Sequence, residues 1–189
     1  MKSFKASLAL GAMLAAATLA IATPVVARGM TKMVGGAAMS PSKNIIQNAV
    51  NSKVHTTLVA AVKAAGLVDT LSGPGPFTLF APTNAAFAKL PAGTVDTLLK
   101  PENIETLKGI LTYHVVAGKV GAKDLLAKIK AGHGSATLTT VQGGTLTARK
   151  SGAGVTITDA KGDVAHVTIA DVAQSNGVIH VVDTVLLPQ

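Results

Sequence analysis

Between Asn44 and Lys130 apolar residues recur mostly at three- and four-residue spacing, whereas from Ser135 onward they alternate with polar ones. The first spacing lines one face of an α-helix and the second one face of a β-strand. Ile45, Ile46, Ala49 and Val50 predict a helix starting at Asn44, and Leu58, Val59, Val62 and Ala65 a second over Thr56–Ala65, with Gly66 as its stop. Ser72-Gly73-Pro74-Gly75-Pro76 is a turn-forming loop. Phe77–Ala81 reads as a short strand ended by Pro82, after which Thr83 or Asn84 can cap a helix over Ala85–Lys89. Further helices are expected over Thr94–Leu99, Asn103–Tyr113 and Lys123–Lys130, with a short strand at Val115-Val116.

The second half predicts strands at Thr137–Val141, Thr145–Lys150, Val155–Asp159, Val164–Ala170 and Val178–Leu187. Gly143-Gly144, Gly152-Ala153-Gly154, Lys161-Gly162 and Asn176-Gly177 separate them as turn signals. Helices first and strands second indicate an α+β domain rather than alternating βαβ units. No internal repeat is visible, so one domain is expected.

The N-terminus changes the picture of the compartment. Lys2 and Lys5 precede an apolar run from Leu8 to Ala22, and Val25-Val26-Ala27 follows Pro24. That is the layout of a secretory signal peptide over residues 1–27, cut after Ala27. The run is short and Ala-rich for a membrane anchor, which needs roughly 20 apolar residues. Residues 28–41 have no period and read as a flexible tether, leaving 42–189 as the folded domain. The chain contains no cysteine, so neither disulfides nor a lipid-modified cysteine enter the argument.

The charge is +8, moderate and scattered, with Lys128/Lys130 and Arg149/Lys150 the only close pairs and no basic run of five. Aromatic residues make up 3% of the chain, too few for the stacking platforms that accompany nucleic-acid binding. Weak attraction to anionic glycans or lipid head groups stays open.

Three segments carry more than periodicity. Phe77–Pro91 (FTLFAPTNAAFAKLP), Leu111–Gly118 (LTYHVVAG) and Asn176–Pro188 (NGVIHVVDTVLLP) resemble the signature blocks of fasciclin domains, in the family's order. The resemblance covers Asn44 to Pro188. It implies a wedge-shaped β-sandwich with several helices packed at its edge, and adhesion or extracellular binding rather than catalysis. Some relatives are matrix or cell-surface adhesion proteins and some carry apolar pigments. Fold alone does not decide function. In many relatives an Asn-Asp pair ahead of the last block belongs to a receptor-binding motif. Here the matching positions are Ala170-Asp171, which argues against animal-type receptor recognition.

The candidate binding or structural residues are therefore Thr83, Asn84, Tyr113, His114, Asp171 and His180. Tyr113-His114 either forms part of an adhesion surface or buries a histidine that bonds Asp171 or Asn84. The need of buried polar groups for partners favours the second. His114, His166 and His180 lack the short spacing of a zinc site, so no metal or other cofactor is expected. Gly132-His133-Gly134-Ser135 lacks the second glycine of a nucleophile elbow, position 137 being Thr, and the Ser72–Pro76 loop lacks the Gly-Lys-Ser/Thr of a phosphate loop.

The expectation is an exported, monomeric, non-enzymatic module in the periplasm or outside the cell. Its partner would be a cell-surface or matrix glycan or an envelope protein, with no role for nucleic acid. The alternative is a carrier of a small apolar ligand, such as a pigment or lipid, in a groove between the helices and the sheet edge.

Overall fold

The computed structural model describes residues 30–189; the expected signal peptide lies outside them. The chain begins with a hairpin, β1 (Lys32–Val34) and β2 (Ala37–Met39), and continues through α1 (Ile45–Ala49), α2 (Thr56–Ala64) and α3 (Val68–Ser72). Then come β3 (Phe77–Pro82), α4 (Asn84–Ala88), α5 (Thr94–Leu98), a 3-10 turn (Pro101–Asn103), α6 (Ile104–Tyr113), β4 (Val115–Ala117) and α7 (Ala122–Ala131). Five strands close the chain: β5 (Ser135–Thr139), β6 (Thr145–Ser151), β7 (Gly154–Thr158), β8 (Val164–Gln174) and β9 (Gly177–Val182).

The large sheet has seven strands in the order β4-β3-β9-β8-β7-β6-β5. Only β3 and β9 pair in parallel. The sheet folds over itself along β8, whose Val164–His166 pairs with β7 while Val167–Gln174 pairs with β9. Two register irregularities, between Val167 and Ile169 and between Ile169 and Val172, permit the bend, because extra residues in one strand increase its local twist. A bridge between Val116 and Thr140 brings the two edge strands together.

Folding the sheet creates two cores, fed by alternate residues of the central strands. Leu79, Ala81, Ile179 and Val181 enter a core shared with α1, α2 and α6. Phe80 and Val182 enter a second one, closed by Leu138, Leu146 and Ile157 from the folded-over layer and by Leu125 and Ile129 of α7. The architecture is thus the expected α+β arrangement, a β-sandwich with helices along one side.

Three expectations need correction, and one short helix was not foreseen. Residues 32–39 are not a tether: they form a hairpin whose Val34 and Met39 are buried, and Lys32 Nζ donates to the Ala170 carbonyl of β8. The Gly-Gly turn at 35–36, both with positive φ, closes that hairpin, a signal too short to register as a strand pair. Val68–Ser72 is a short helix. β8 continues to Gln174 through its bulges, which break the alternation that locates a strand in the sequence. The last strand stops at Val182 rather than Leu187. Val185 and Leu186 are still buried, but side chains hold that segment: the Leu186 amide donates to His114 Nε2 (3.0 Å) and the Leu187 amide to Asp159 Oδ2 (2.8 Å).

Candidate functional site

The six residues selected from the sequence are all hydrogen-bonded inside the fold. Thr83 is the N-cap of α4, its Oγ1 accepting from the Ala86 amide at 3.2 Å. Asn84 works at a distance. α2 has no side-chain cap of its own at His55, and Asn84 Oδ1 takes the Thr57 amide instead (3.1 Å), while its Nδ2 donates to the Lys53 carbonyl (3.0 Å) and to Thr56 Oγ1 (2.9 Å). One asparagine thereby satisfies a free helix amide and fixes α2 against the β3–α4 corner.

Tyr113 and His114, adjacent at the end of α6, support different parts of the molecule. The Tyr113 hydroxyl donates to the Thr145 carbonyl (2.7 Å) and accepts from the Ala160 amide (3.0 Å), joining α6 to the folded-over layer. Its ring is fully buried and lies where a Cβ on Gly144 would come within 2.6 Å of Cε2, so the position needs glycine. Burial pushes the phenol pKa up. His114 Nδ1 bonds the Ile110 carbonyl at 2.8 Å while Nε2 accepts from Leu186. These bonds require the neutral ring protonated on Nδ1. Burial lowers its pKa to about 4, outweighing the opposing pull of the Ile110 carbonyl and the Asp159 charge. The expected partners Asp171 and Asn84 are not its partners. Backbone groups take their place: the Ile110 carbonyl in the last turn of α6, which also accepts from the His114 amide, and the Leu186 amide of the segment after β9.

Asp171 and His180 do meet. Asp171 lies in the β8 bulge with φ 55°, and its amide faces His180 Nδ1 at 3.3 Å. Both side chains hold the Gly118–Ala122 connection into α7. His180 Nε2 donates to the Val120 carbonyl (2.8 Å), and Asp171 Oδ1 accepts from Ala122 (2.7 Å), a free amide of the first turn. Asp124 adds a second carboxylate there, accepting from Gly121 at 3.1 Å. Thr78, missed in the sequence, completes the latch by donating to the Gly118 carbonyl (2.7 Å) and accepting from Val120 (2.8 Å). Phe80 stacks on His180 at 5.6 Å between ring centres.

Two more residues serve distant segments, Asp159, read only as a strand end, and Asn176, read only as a turn former. Asp159 holds Lys161, Asp163 and Leu187 through their amides. Asn176 accepts from Ile45 at the start of α1 and donates to the Leu71 and Gly73 carbonyls. Local propensity describes their backbone but not the distant segments that their side chains reach.

Both ring nitrogens of His114 and of His180 are occupied by backbone groups, and no three metal-ligating side chains converge among the described residues. What remains open to partners is surface. An open polar groove of about 450 Å³ runs beside Tyr113, lined by Gln142, Thr145 and Gln189. A slot between α1, α2 and the sheet, lined by Ile46, Val59, Val62 and Val68, is wholly apolar but encloses only about 10 Å³, roughly one water position. No helix of the described residues is long and apolar enough to cross a membrane.

Residues 53–188 match the family model of the fasciclin domain. The chain is 48% identical to Protein sll1483 of Synechocystis over 158 residues, covering 82% of this chain and 79% of that protein. Immunogenic protein MPB70 of Mycobacterium bovis is 37% identical over 74% of this chain and 66% of its own length. The cell surface glycolipoprotein MPB83 of the same species is 35% identical, over 82% and 64%. Among solved structures, a FAS1 domain pair from the insect cell adhesion molecule Fasciclin I superimposes with a TM-score of 0.69 at 22% identity, covering 78% of this chain and 52% of that one. The signature blocks, the sandwich they build and the match over residues 53–188 place this chain in the fasciclin family.

Proposed function

We propose that this protein is an exported, non-catalytic interaction module that acts as a monomer in the periplasm or outside the cell, binding a cell-envelope or extracellular partner. One observation carries the reading: each of the six signature residues is hydrogen-bonded within the fold, which leaves the exterior to recognise a partner. The names of the mycobacterial cell surface glycolipoprotein and the insect cell adhesion molecule agree with a surface role. The alternative, a carrier of an apolar ligand, is favoured by the lining of the slot between α1 and α2 but would require that slot to open.

Protein purified from its native host, analysed by absorbance and mass spectrometry and then incubated with envelope fractions, tests both. The module reading expects a ligand-free chain that sediments with envelope. A co-purifying pigment or lipid together with no envelope binding would replace it with the carrier reading. Turnover of an ester or glycoside, abolished by a point substitution, would overturn its non-catalytic part.

A further inference from the structure

The two close basic pairs of the sequence, Lys128/Lys130 and Arg149/Lys150, become neighbours in the fold. α7 ends at Ala131, and a tight turn in which Gly134 donates to the Ile129 carbonyl leads directly into Ser135 of β5. Ser135 is the register partner of Arg149 on β6. Lys128 and Lys130 in the last turn of α7 thus stand next to the end of β6, where Arg149 lies on the outer face and Lys150, one residue on, on the face towards the core; all four are exposed at this edge. The ion pairs among the described residues are Lys89–Asp183, Lys100–Glu102 and Lys108–Glu105, so none neutralises this corner. Residues 119–166 hold seven Lys or Arg against three Asp, one of which, Asp159, is buried; the rest of the described chain is close to balanced.

Arg149 also belongs to the outer face of the folded-over layer, since Ala148 and Leu146 alternate with it into the core. That face is rich in hydroxyls, of which the Thr156 group is buried and donates to the Arg149 carbonyl. One cross-strand row runs Ser135, Arg149, Thr156, His166, and the next runs Thr137, Thr147, Thr158, Val164, followed by the pair Thr139 and Thr145. Neighbours within a row stand about 5 Å apart and rows about 7 Å apart. Among the described residues the hydroxyls of Thr137, Thr139, Thr145, Thr147 and Thr158 make no bond to another protein group, in contrast to those of Thr78, Thr83, Thr112 and Thr140. The rows end at Thr145, where the open polar groove beside Tyr113 begins.

We infer that this corner and the adjoining threonine face bind a linear acidic polysaccharide. The four cations take its carboxylate or sulfate groups, and the unbonded hydroxyls exchange hydrogen bonds with its sugar hydroxyls. Charge complementarity selects the polyanion. The hydroxyl rows favour a sugar chain over single-stranded nucleic acid, which is held by stacking aromatics, and over a bilayer, which takes apolar side chains inserted into it. The inference rests on the reading of the domain as an interaction module and names the chemistry of its partner.

Binding of the purified chain to immobilised heparin, with neutral dextran as reference, tests it across a salt series. K128Q/K130Q/R149Q/K150Q is expected to weaken binding about tenfold or more at low salt and to flatten its salt dependence. K43Q/K53Q/K63Q/K100Q removes the same charge elsewhere and is expected to change affinity less than about twofold. T137A/T147A leaves the charge intact and should weaken binding about threefold or more with an unaltered salt slope. Thermal melts check that all three variants fold. Equal losses in both charge variants, no loss in T137A/T147A, or binding to phosphatidylglycerol vesicles in place of heparin would overturn the inference. Envelope binding that survives the first quadruple substitution also overturns it while leaving the module reading intact; absence of envelope binding in the unaltered chain overturns that broader reading.

Discussion

His114 joins the end of α6 to the segment after β9 while neutral, and this makes the protein acid-sensitive. Its folded-state pKa of about 4 lies below the unfolded value of 6.5, so the unfolded state takes up the proton first as pH falls. Its contribution is complete above pH 6.5, is lost progressively between there and pH 4, and amounts to about 3 kcal/mol. Burial shifts His55 and His180 in the same direction. Denaturant titrations at pH 7 and pH 4.5 should show the loss; equal midpoints would contradict it. Asp171 gives a second residue-scale expectation. Asp171→Ala removes the acceptor for Ala122 and should cost about 1–2 kcal/mol, whereas Asp171→Asn keeps an oxygen and should cost less than half of that. Equal losses would mean that charge, rather than the hydrogen bond, is what α7 requires.

The N-terminal hairpin illustrates what an element contributes. β1 and β2 each expose one methionine or alanine and bury the other side, so that Met39 is 2% exposed and Met33 62%. Met39→Ala should cost about 2–4 kcal/mol in an unfolding titration and Met33→Ala close to none. Similar values for the two would return the hairpin to the status of a tether. Gly144 couples elements in another way, through the Tyr113 ring beside it. Gly144→Ala should cost about 1–3 kcal/mol, and much less in a Tyr113→Ala background, where the ring is gone. A double-mutant cycle with no coupling would place the strain elsewhere. The helices and strands themselves were largely legible, because burial on one face imposes a period of 3.6 or 2 on the residues concerned. Val68–Ser72, one turn long, and the Asp171–Gln174 end of β8, beyond the bulge, escaped because neither sustains a period.

At the scale of the molecule, the described residues form two cores separated by one shared sheet, and the central strands feed both. Neither core can open without exposing the opposite faces of β3 and β9, so a single cooperative transition is expected. Tyr113, the only tyrosine in a chain without tryptophan, reports on the second core, and far-ultraviolet circular dichroism reports on the helices packed against the first. Coincident midpoints from the two probes are the expected result; separated midpoints would mean that the two cores unfold independently.

The sequence by itself determined the α+β order, the alternation that makes β3 and β9 two-faced, and the signature residues Thr83, Asn84, Tyr113, His114, Asp171 and His180. Those features are local, written in side-chain period, turn residues and short motifs. Only the tertiary structure decided which backbone groups these residues serve, since an unpaired amide such as Leu186 or Ala122 is satisfied by whatever the fold brings within about 3 Å. The same limit applies to the surface. Lys128/Lys130 and Arg149/Lys150 were visible as separate pairs, and the turn from α7 into β5 and the register of β6 made them one corner.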